Sequence, residues 1–458
     1  MSMLFISGGT ALGLAEEGRR RADVLIRDGE IEAVAAPGEL TPPEGARLLD
    51  ASGCMVCPGF IDPHSHIDGD VYTGTLSLLQ GITTTVCGNC GFSPLHTGAF
   101  LAEQDGFPIH QAMLIGMQTL RLAAGARDPF APAQLGQVAE MERLCRQALL
   151  EGAAGVSLGP AYAPGASIEE MEALCRQAQA FGRPVAIDTR MNSMTDLHSL
   201  EEAIMLAEDT GCRLIVSHFV YQYGVGVEYE ALSMLERARA RGAELHLDSG
   251  MYKDWCSSVG SALFDPEIMR ANSIELEHLR VITGEHLGAV PDEALYRHLR
   301  ERHPHDAVSV NTGDQEAVYA IARHPLTMVS TDAGAYVPGQ GHPQIAGSFP
   351  RFLREMVRER GEVTWEEAVR RTTRLPAEVF GFEKKGRMRP GSDADLVVFD
   401  PEAIADCADF PGLGRPNAAP LGIRAVIVGG EIAVYEGKIV HAHAGRAYSA
   451  GVSLPLSS

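Results

Sequence analysis

The chain has 458 residues, 45% hydrophobic and 21% charged, with 49 glycines and 26 prolines. That is an ordinary globular composition, long enough for one large domain with an appendage or for two or three smaller ones, and no disordered tract is expected. The formal net charge of -22 gives a surface that repels nucleic acid and anionic lipid, so neither is an expected partner.

The opening MSMLFISGGTALG has neither the basic start nor the long apolar core of a secretory signal, and reads as a first β-strand. Residues 1 to about 57 are strand-rich, with strands predicted at 3–7, 22–27, 30–35 and 55–57 and a turn at Asp28-Gly29. The longest apolar runs, such as 394–399, are strand-sized, so no membrane span is expected. Without an export signal a cytoplasmic location is expected, and the odd count of nine cysteines argues against a full disulfide framework.

From about 58 to 385 the pattern alternates. Short apolar strands are predicted at 59–62, 83–87, 155–158, 185–189, 213–218, 244–248, 307–310 and 328–332, with helical patterns between most of them. Two of those helices, 167–181 and 199–210, begin on a serine suited to an N-cap. Eight strands in βαβα order over this length fit an α/β fold of the (β/α)8 barrel type, with an inserted segment at about 257–305. From 386 the chain returns to strands, predicted at 394–400, 424–428, 431–435 and 438–441. The two ends, 1–57 and 386–458, are therefore expected to meet in one small β-sandwich domain.

The first element that carries chemistry is Pro58-Gly59-Phe60-Ile61-Asp62-Pro63-His64-Ser65-His66, a short strand ending in His-x-His. Alternate strand residues face one side, so His64 and His66 can reach one metal ion at the mouth of a barrel. The second is Gly81-Ile82-Thr83-Thr84-Thr85-Val86-Cys87-Gly88-Asn89-Cys90-Gly91, a β-branched strand ending in a glycine-rich turn, whose Cys90 thiolate is a soft zinc ligand. Cys54, Cys57, Cys87 and Cys90 together imitate a four-cysteine structural zinc site, but their separation is too long and the histidines would be left unexplained. His218 ends the apolar strand that precedes it. Asp332 ends another and is placed to accept a proton from an attacking water and return it to a leaving nitrogen. Each is weak evidence alone; that His64, His66, Cys90, His218 and Asp332 all fall at strand ends points to a metal site.

The segments PGFIDPHSH (58–66), GITTTVCGNCG (81–91), GAAGVSLGPAYAPG (152–165), VSHF (216–219), STDAG (330–334), HPQIAGSFPRFL (342–353) and GRMRPGSDADLVVFDP (386–401) resemble the amidohydrolase superfamily, within it the D-aminoacylase branch. The resemblance implies one or two zinc ions, with His64, His66 and Asp332 around one position, Cys90 and His218 at a tighter one, and Asp332 as general acid and base. Three positions depart from the family. Its fifth-strand histidine ligand is matched by Asp188, its lysine two residues after the sixth-strand histidine by Val220, and the arginine of its HPR triplet by Gln344. Arg190 and Arg351 are the candidate replacements for the lost cations and Tyr252 a candidate substrate contact, while His246 is given a structural role.

The implied function is a zinc-dependent hydrolase of a small-molecule, non-peptide amide, most simply an N-acyl-D-amino-acid deacylase. The alternatives are a hydantoinase-like or dihydroorotase-like hydrolase of cyclic amides, imides or ureides, and a catalytically impaired binding protein of the same fold. Homo-oligomer formation is left open.

Overall fold

The computed structural model describes residues 2–14, 18–193 and 195–449. Eight strands form one parallel sheet in chain order: Phe60–Asp62, Ile82–Cys87, His110–Gly116, Gly155–Leu158, Val185–Ile187, Leu214–Val216, Leu245–Ser249 and Thr327–Val329. Helices pack between successive strands, giving the (β/α)8 barrel. Just beyond the first and eighth strands, Ala333–Gly334 pairs in parallel with Ser65–His66, so the barrel closes where the His-x-His lies.

The inside of the barrel is filled by Ile61, Val86, Ala112, Leu114, Ala154, Ala186, Ile215 and Met328. Leu375, Ala377, Val379, Phe380 and Phe382 join the same cluster from the stretch around the helix Leu375–Phe380. The mixture of alanines with larger residues suits a packed interior that must taper, and the functional face is left to the strand C-termini.

The barrel departs from the expected strands in two places, one strand not expected and one expected strand that lies elsewhere. His110–Gly116 is the third strand, fully buried, yet it opens on His110-Gln111 and so hides its apolar run. Ala307–Val310 has a barrel-like apolar pattern but belongs to a separate antiparallel sheet with Trp255–Ser258 and Leu279–Val281. A four-residue apolar run reads the same in either setting, and the helix that follows it, Gln315–Arg323, completes the imitation. The inserted sheet thus spans 255–310, wider than 257–305.

Strands from the two chain ends form one nine-stranded sheet, continuous in its hydrogen bonding. Leu396–Phe399 pairs antiparallel with Met55–Pro58 and joins the halves. Leu4, Ile6, Val24 and Ile26 from one half share a core with Leu396, Val398, Ala425 and Ile427 from the other. Arg47–Asp50, a strand the sequence pattern does not reveal, pairs with Met3–Ala11. Among the described residues no helix is long and apolar enough to cross a membrane.

Candidate metal centre

The turn after the second strand is fixed before any metal is considered. Asn89 donates its side-chain amide to the carbonyls of Val86 (2.9 Å) and Ser65 (3.3 Å). The Ser157 hydroxyl donates to Gly88 O (2.6 Å) and accepts from Gly91 N (3.0 Å). Gly159 passes so close that a Cβ there would strike the Cys90 carbonyl. These contacts hold Cys90 at φ +52°, and His218 and Asp332 are also left-handed, at +31° and +51°. Three non-glycine residues in a costly backbone region, at strand ends that converge on one point, mark a place where geometry is held for function.

Cys90 Sγ lies 3.5 Å from His64 Nε2 and 3.4 Å from His218 Nε2. Asp332 Oδ1 lies 3.5 Å from His64 Nε2 and 3.3 Å from His66 Nε2. Two triads result, His64–Cys90–His218 and His64–His66–Asp332, each with its ligand atoms within 4.8 Å of one another. A thiolate, imidazoles and a carboxylate at this spacing are a donor set that suits zinc. Asp188 Oδ1 is 3.7 Å from His218 Nε2 and accepts from Gln222 Nε2 at 2.6 Å. His64 belongs to both triads through one nitrogen, because its Nδ1 is turned to Asp248 Oδ2 at 3.3 Å.

Asp248 organises the floor of the site. Besides facing His64, it accepts from His218 N (3.0 Å) and from the Ser330 hydroxyl (2.8 Å). Asp62 plays a similar part, accepting from His64 N, Thr331 N and the Thr331 hydroxyl. Burial would lower the basicity of His64, but Asp248, Asp332 and Asp62 raise its pKa to about 9. Burial likewise pushes Asp332 up, yet the bond to His66 and the neighbouring His64 and His218 hold it well below the usual carboxylate range. Asp188 goes the other way: burial raises it, and His218 and His64 offset only part of this. Burial, then Asp188 and Asp332, push the Cys90 thiol well up, so a cation is needed to keep it as thiolate.

His66, Cys90, Asp188, His218 and Asp332 face a cavity of about 660 Å³. Phe92, Tyr162, Met191, Tyr221 and Tyr336 from the segments that follow the barrel strands form much of its wall, and Trp255, Ser257, Ser258 and Leu263 of the inserted segment roof it. Among the described residues that wall carries no lysine or arginine.

Three expected substrate-contact residues stand apart from the wall of this cavity, although Arg190 lines a smaller pocket that shares Met191, Tyr221, Gln222 and Trp255 with it. Arg190 lies outside the cavity wall, and its guanidinium is taken up by Glu202 (2.9 Å) and the carbonyls of Pro164 and Ala166. Arg351 stacks on Tyr252, 4.5 Å from the ring centre, and faces Glu355 at 3.1 Å. Tyr252 is buried beneath it, edge-on to His342, and is not in the wall. Val220 is buried in the apolar core, and Gln344 accepts from the Tyr221 hydroxyl (2.8 Å) while donating to Asp332 O (2.5 Å). His246 shares a strand face with Asp248 but lies at the opposite end, among Arg239, Glu244 and Arg213, where burial lowers its pKa to about 4. Cys54, Cys57 and Cys87 are buried and free; of the four cysteines in the ribbon-like pattern, Cys90 is the one in a metal-competent group among the described residues. Asp62 lies inside the Pro58–His66 run without a role assigned to it there, and Asp248 has only the strand-end signal of Asp248-Ser249-Gly250.

Residues 55–433 match the amidohydrolase family. The chain is 34% identical to the N-acyl-D-glutamate deacylase of Alcaligenes xylosoxydans xylosoxydans, over 93% of this chain and 92% of that protein. It is 30% identical to the D-aminoacylase of the same organism, over 97% and 96%. The crystal structure of N-acyl-D-glutamate deacylase from Bordetella bronchiseptica, complexed with zinc and a phosphonate inhibitor, superposes with a TM-score of 0.86 at 32% identity, covering 98% of this chain and 100% of that one. The chain belongs to the amidohydrolase family, in its D-aminoacylase branch, and is a hydrolase of carbon–nitrogen bonds other than peptide bonds.

Proposed function

We propose that the chain is a zinc-dependent amidase that cleaves an N-acyl amide bond in a small molecule. The observation that carries this reading is the convergence of five ligand-type side chains on the floor of one cavity large enough for a small amide, with a sixth, His64, buried directly behind them. His64, His66 and Asp332 would hold one ion, and Cys90, His218 and Asp188 another. His64 has a single nitrogen to give, since Asp248 takes the other, so occupying both positions calls on Asp188 in the second set. When bound, zinc supplies Lewis acidity toward the amide carbonyl and makes water a better nucleophile at neutral pH.

The chain's own residues do the rest. Asp332 borders the cavity and can accept a proton from the attacking water and return it to the leaving nitrogen. Asp248 fixes His64 and the backbone of His218 together, so both imidazoles are oriented before substrate arrives. Tyr162, Trp255 and Tyr336 shield the reacting centre from bulk water.

A second reading, hydrolysis of a cyclic amide or ureide, is favoured by one observation. A free α-carboxylate needs a cation or a nest of donors, and the described wall offers no lysine or arginine. A panel of N-acyl-D-amino acids, their neutral amides, and cyclic ureides separates the readings by which class turns over. Zinc analysis of wild type beside Cys90→Ala, finding one to two ions per chain that the substitution removes, separates both from an impaired fold that binds without catalysis.

A further inference from the structure

A second constellation of metal-type ligands lies in the inserted segment. Glu285 and His286 sit in the loop after the strand Leu279–Val281, and His298 is an exposed residue of the helix Glu293–Arg302. Ligand atoms of these three lie within 4.8 Å of one another. His303, at the C-terminal cap of the same helix, reaches the same carboxylate: its Nε2 is 3.4 Å from Glu285 Oε1, and His286 Nε2 is 3.3 Å from that oxygen. The His298 and His303 ring centres are 5.2 Å apart, and those of His286 and His298 are 5.7 Å apart.

The spacing is informative. With zinc–nitrogen and zinc–oxygen bonds of about 2.0–2.1 Å, two ligands of a tetrahedral ion stand roughly 3.3 Å apart. Two of the distances here already have that value. His286 Nε2 is shut off from solvent and makes no hydrogen bond, so the group facing Glu285 has an unused donor or acceptor. On the far side of His303, Asp306 lies 4.0 Å from Nδ1, too far for a hydrogen bond but on the side away from Nε2.

We propose that Glu285, His286, His298 and His303 form a separate site for a zinc-like divalent transition ion, which clamps this loop to the end of the helix at the rim of the cavity. Three imidazoles and one carboxylate suit zinc, copper or nickel and are a poor match for calcium or magnesium. The site stands apart from the catalytic residues but is joined to the cavity by short stretches of chain. Thr283 precedes Glu285 by two residues, and Pro304 and His305 follow His303; all three line the cavity. An ion there would stiffen two adjoining parts of the wall without touching substrate.

The test compares the zinc-loaded wild type with His298→Ala and Glu285→Gln, dialysed against micromolar zinc and counted by elemental analysis. His298 and Glu285 are exposed, so both variants should fold. The wild type should hold one more ion per chain than either variant, and all three should keep the same hydrolysis rate at saturating substrate. Adding zinc should slow amide hydrogen exchange over 284–289 in the wild type several-fold and leave it unchanged in the variants. Equal zinc counts in all three proteins would overturn the site. One extra ion with unaltered exchange would overturn the clamp.

Discussion

At Asp188 a carboxylate stands where the resembling family has an imidazole, and its surroundings show how the chain accommodates that. Gln222 donates to it and His218 faces it, so the buried acid is neither unpaired nor free to turn away. Asp188→Ala should lower zinc content by about one ion per chain and reduce turnover. Asp188→His should restore the count and move the activity optimum to lower pH, since removing a negative charge lets the attacking water ionise more easily. Full zinc content in Asp188→Ala would show that the ligand set lies elsewhere. Asp332→Asn keeps shape and an oxygen donor but cannot carry a proton, so kcat should fall by about 10² or more with zinc retained. At this scale the sequence was most legible for His64, His66, Cys90, His218 and Asp332, because each ends a strand inside a recognisable run. It was least legible for Asp248 and the cavity wall, which are assembled by residues far apart in the chain.

Among the elements, what pattern reading missed has a physical cause. The third strand begins with His110, and the role of that residue is visible only in three dimensions. Its Nε2 lies 3.0 Å from Asp395 Oδ1, Lys385 Nζ is 2.5 Å from Asp395 Oδ2, and Gly429 N donates to Asp395 at 2.7 Å. All three side chains are buried, so a barrel strand is tied to the terminal sheet through one carboxylate. Lys385→Met leaves Asp395 as a buried charge short of its main counter-ion, and should cost about 3–5 kcal/mol in denaturant unfolding. The pH dependence follows from the same group. Burial pushes the Asp395 carboxyl up, but His110 and Lys385 hold it well below its ordinary value. Its folded pKa is thus below the unfolded one of about 3.9, so its stabilisation is complete above that pH and is lost as pH falls below it. Burial also lowers His110, so the unfolded chain takes up a proton below about pH 6.5 while the folded one resists, and stability falls in the same direction. The share of stability that rests on His110 and Asp395 should therefore fall from about pH 6.5 downward, more steeply below pH 4, and the His110 part shows as the difference between wild type and His110→Gln. A wild-type-minus-His110→Gln difference in thermal unfolding that stays flat between pH 7 and pH 5 would count against a neutral buried His110.

Across the whole molecule, the alternation of strand and helix made the barrel readable from the sequence, and the strand-rich ends made their shared sheet readable. The roof over the cavity was not readable, because the inserted sheet uses the same short apolar runs as the barrel itself and only its hydrogen-bond partners distinguish it. That roof brings Trp255, Ser257 and Ser258 over the metal-type ligands, and under the second reading proposed above a wall without lysine or arginine favours an uncharged substrate. Neutral amides of N-acyl-D-amino acids should accordingly show a higher kcat/KM than the parent acids, and the gap should narrow as salt is raised. The central claim, hydrolysis of an amide bond that depends on zinc at this centre, is tested most directly by removing metal with a chelator and titrating zinc back while following turnover of the best substrate in the panel. The account predicts an inactive apoprotein whose activity returns in proportion to the first equivalent of zinc bound, and no such return in Cys90→Ala. Turnover that persists in the metal-free protein, or an active Cys90→Ala with undiminished zinc, would contradict it.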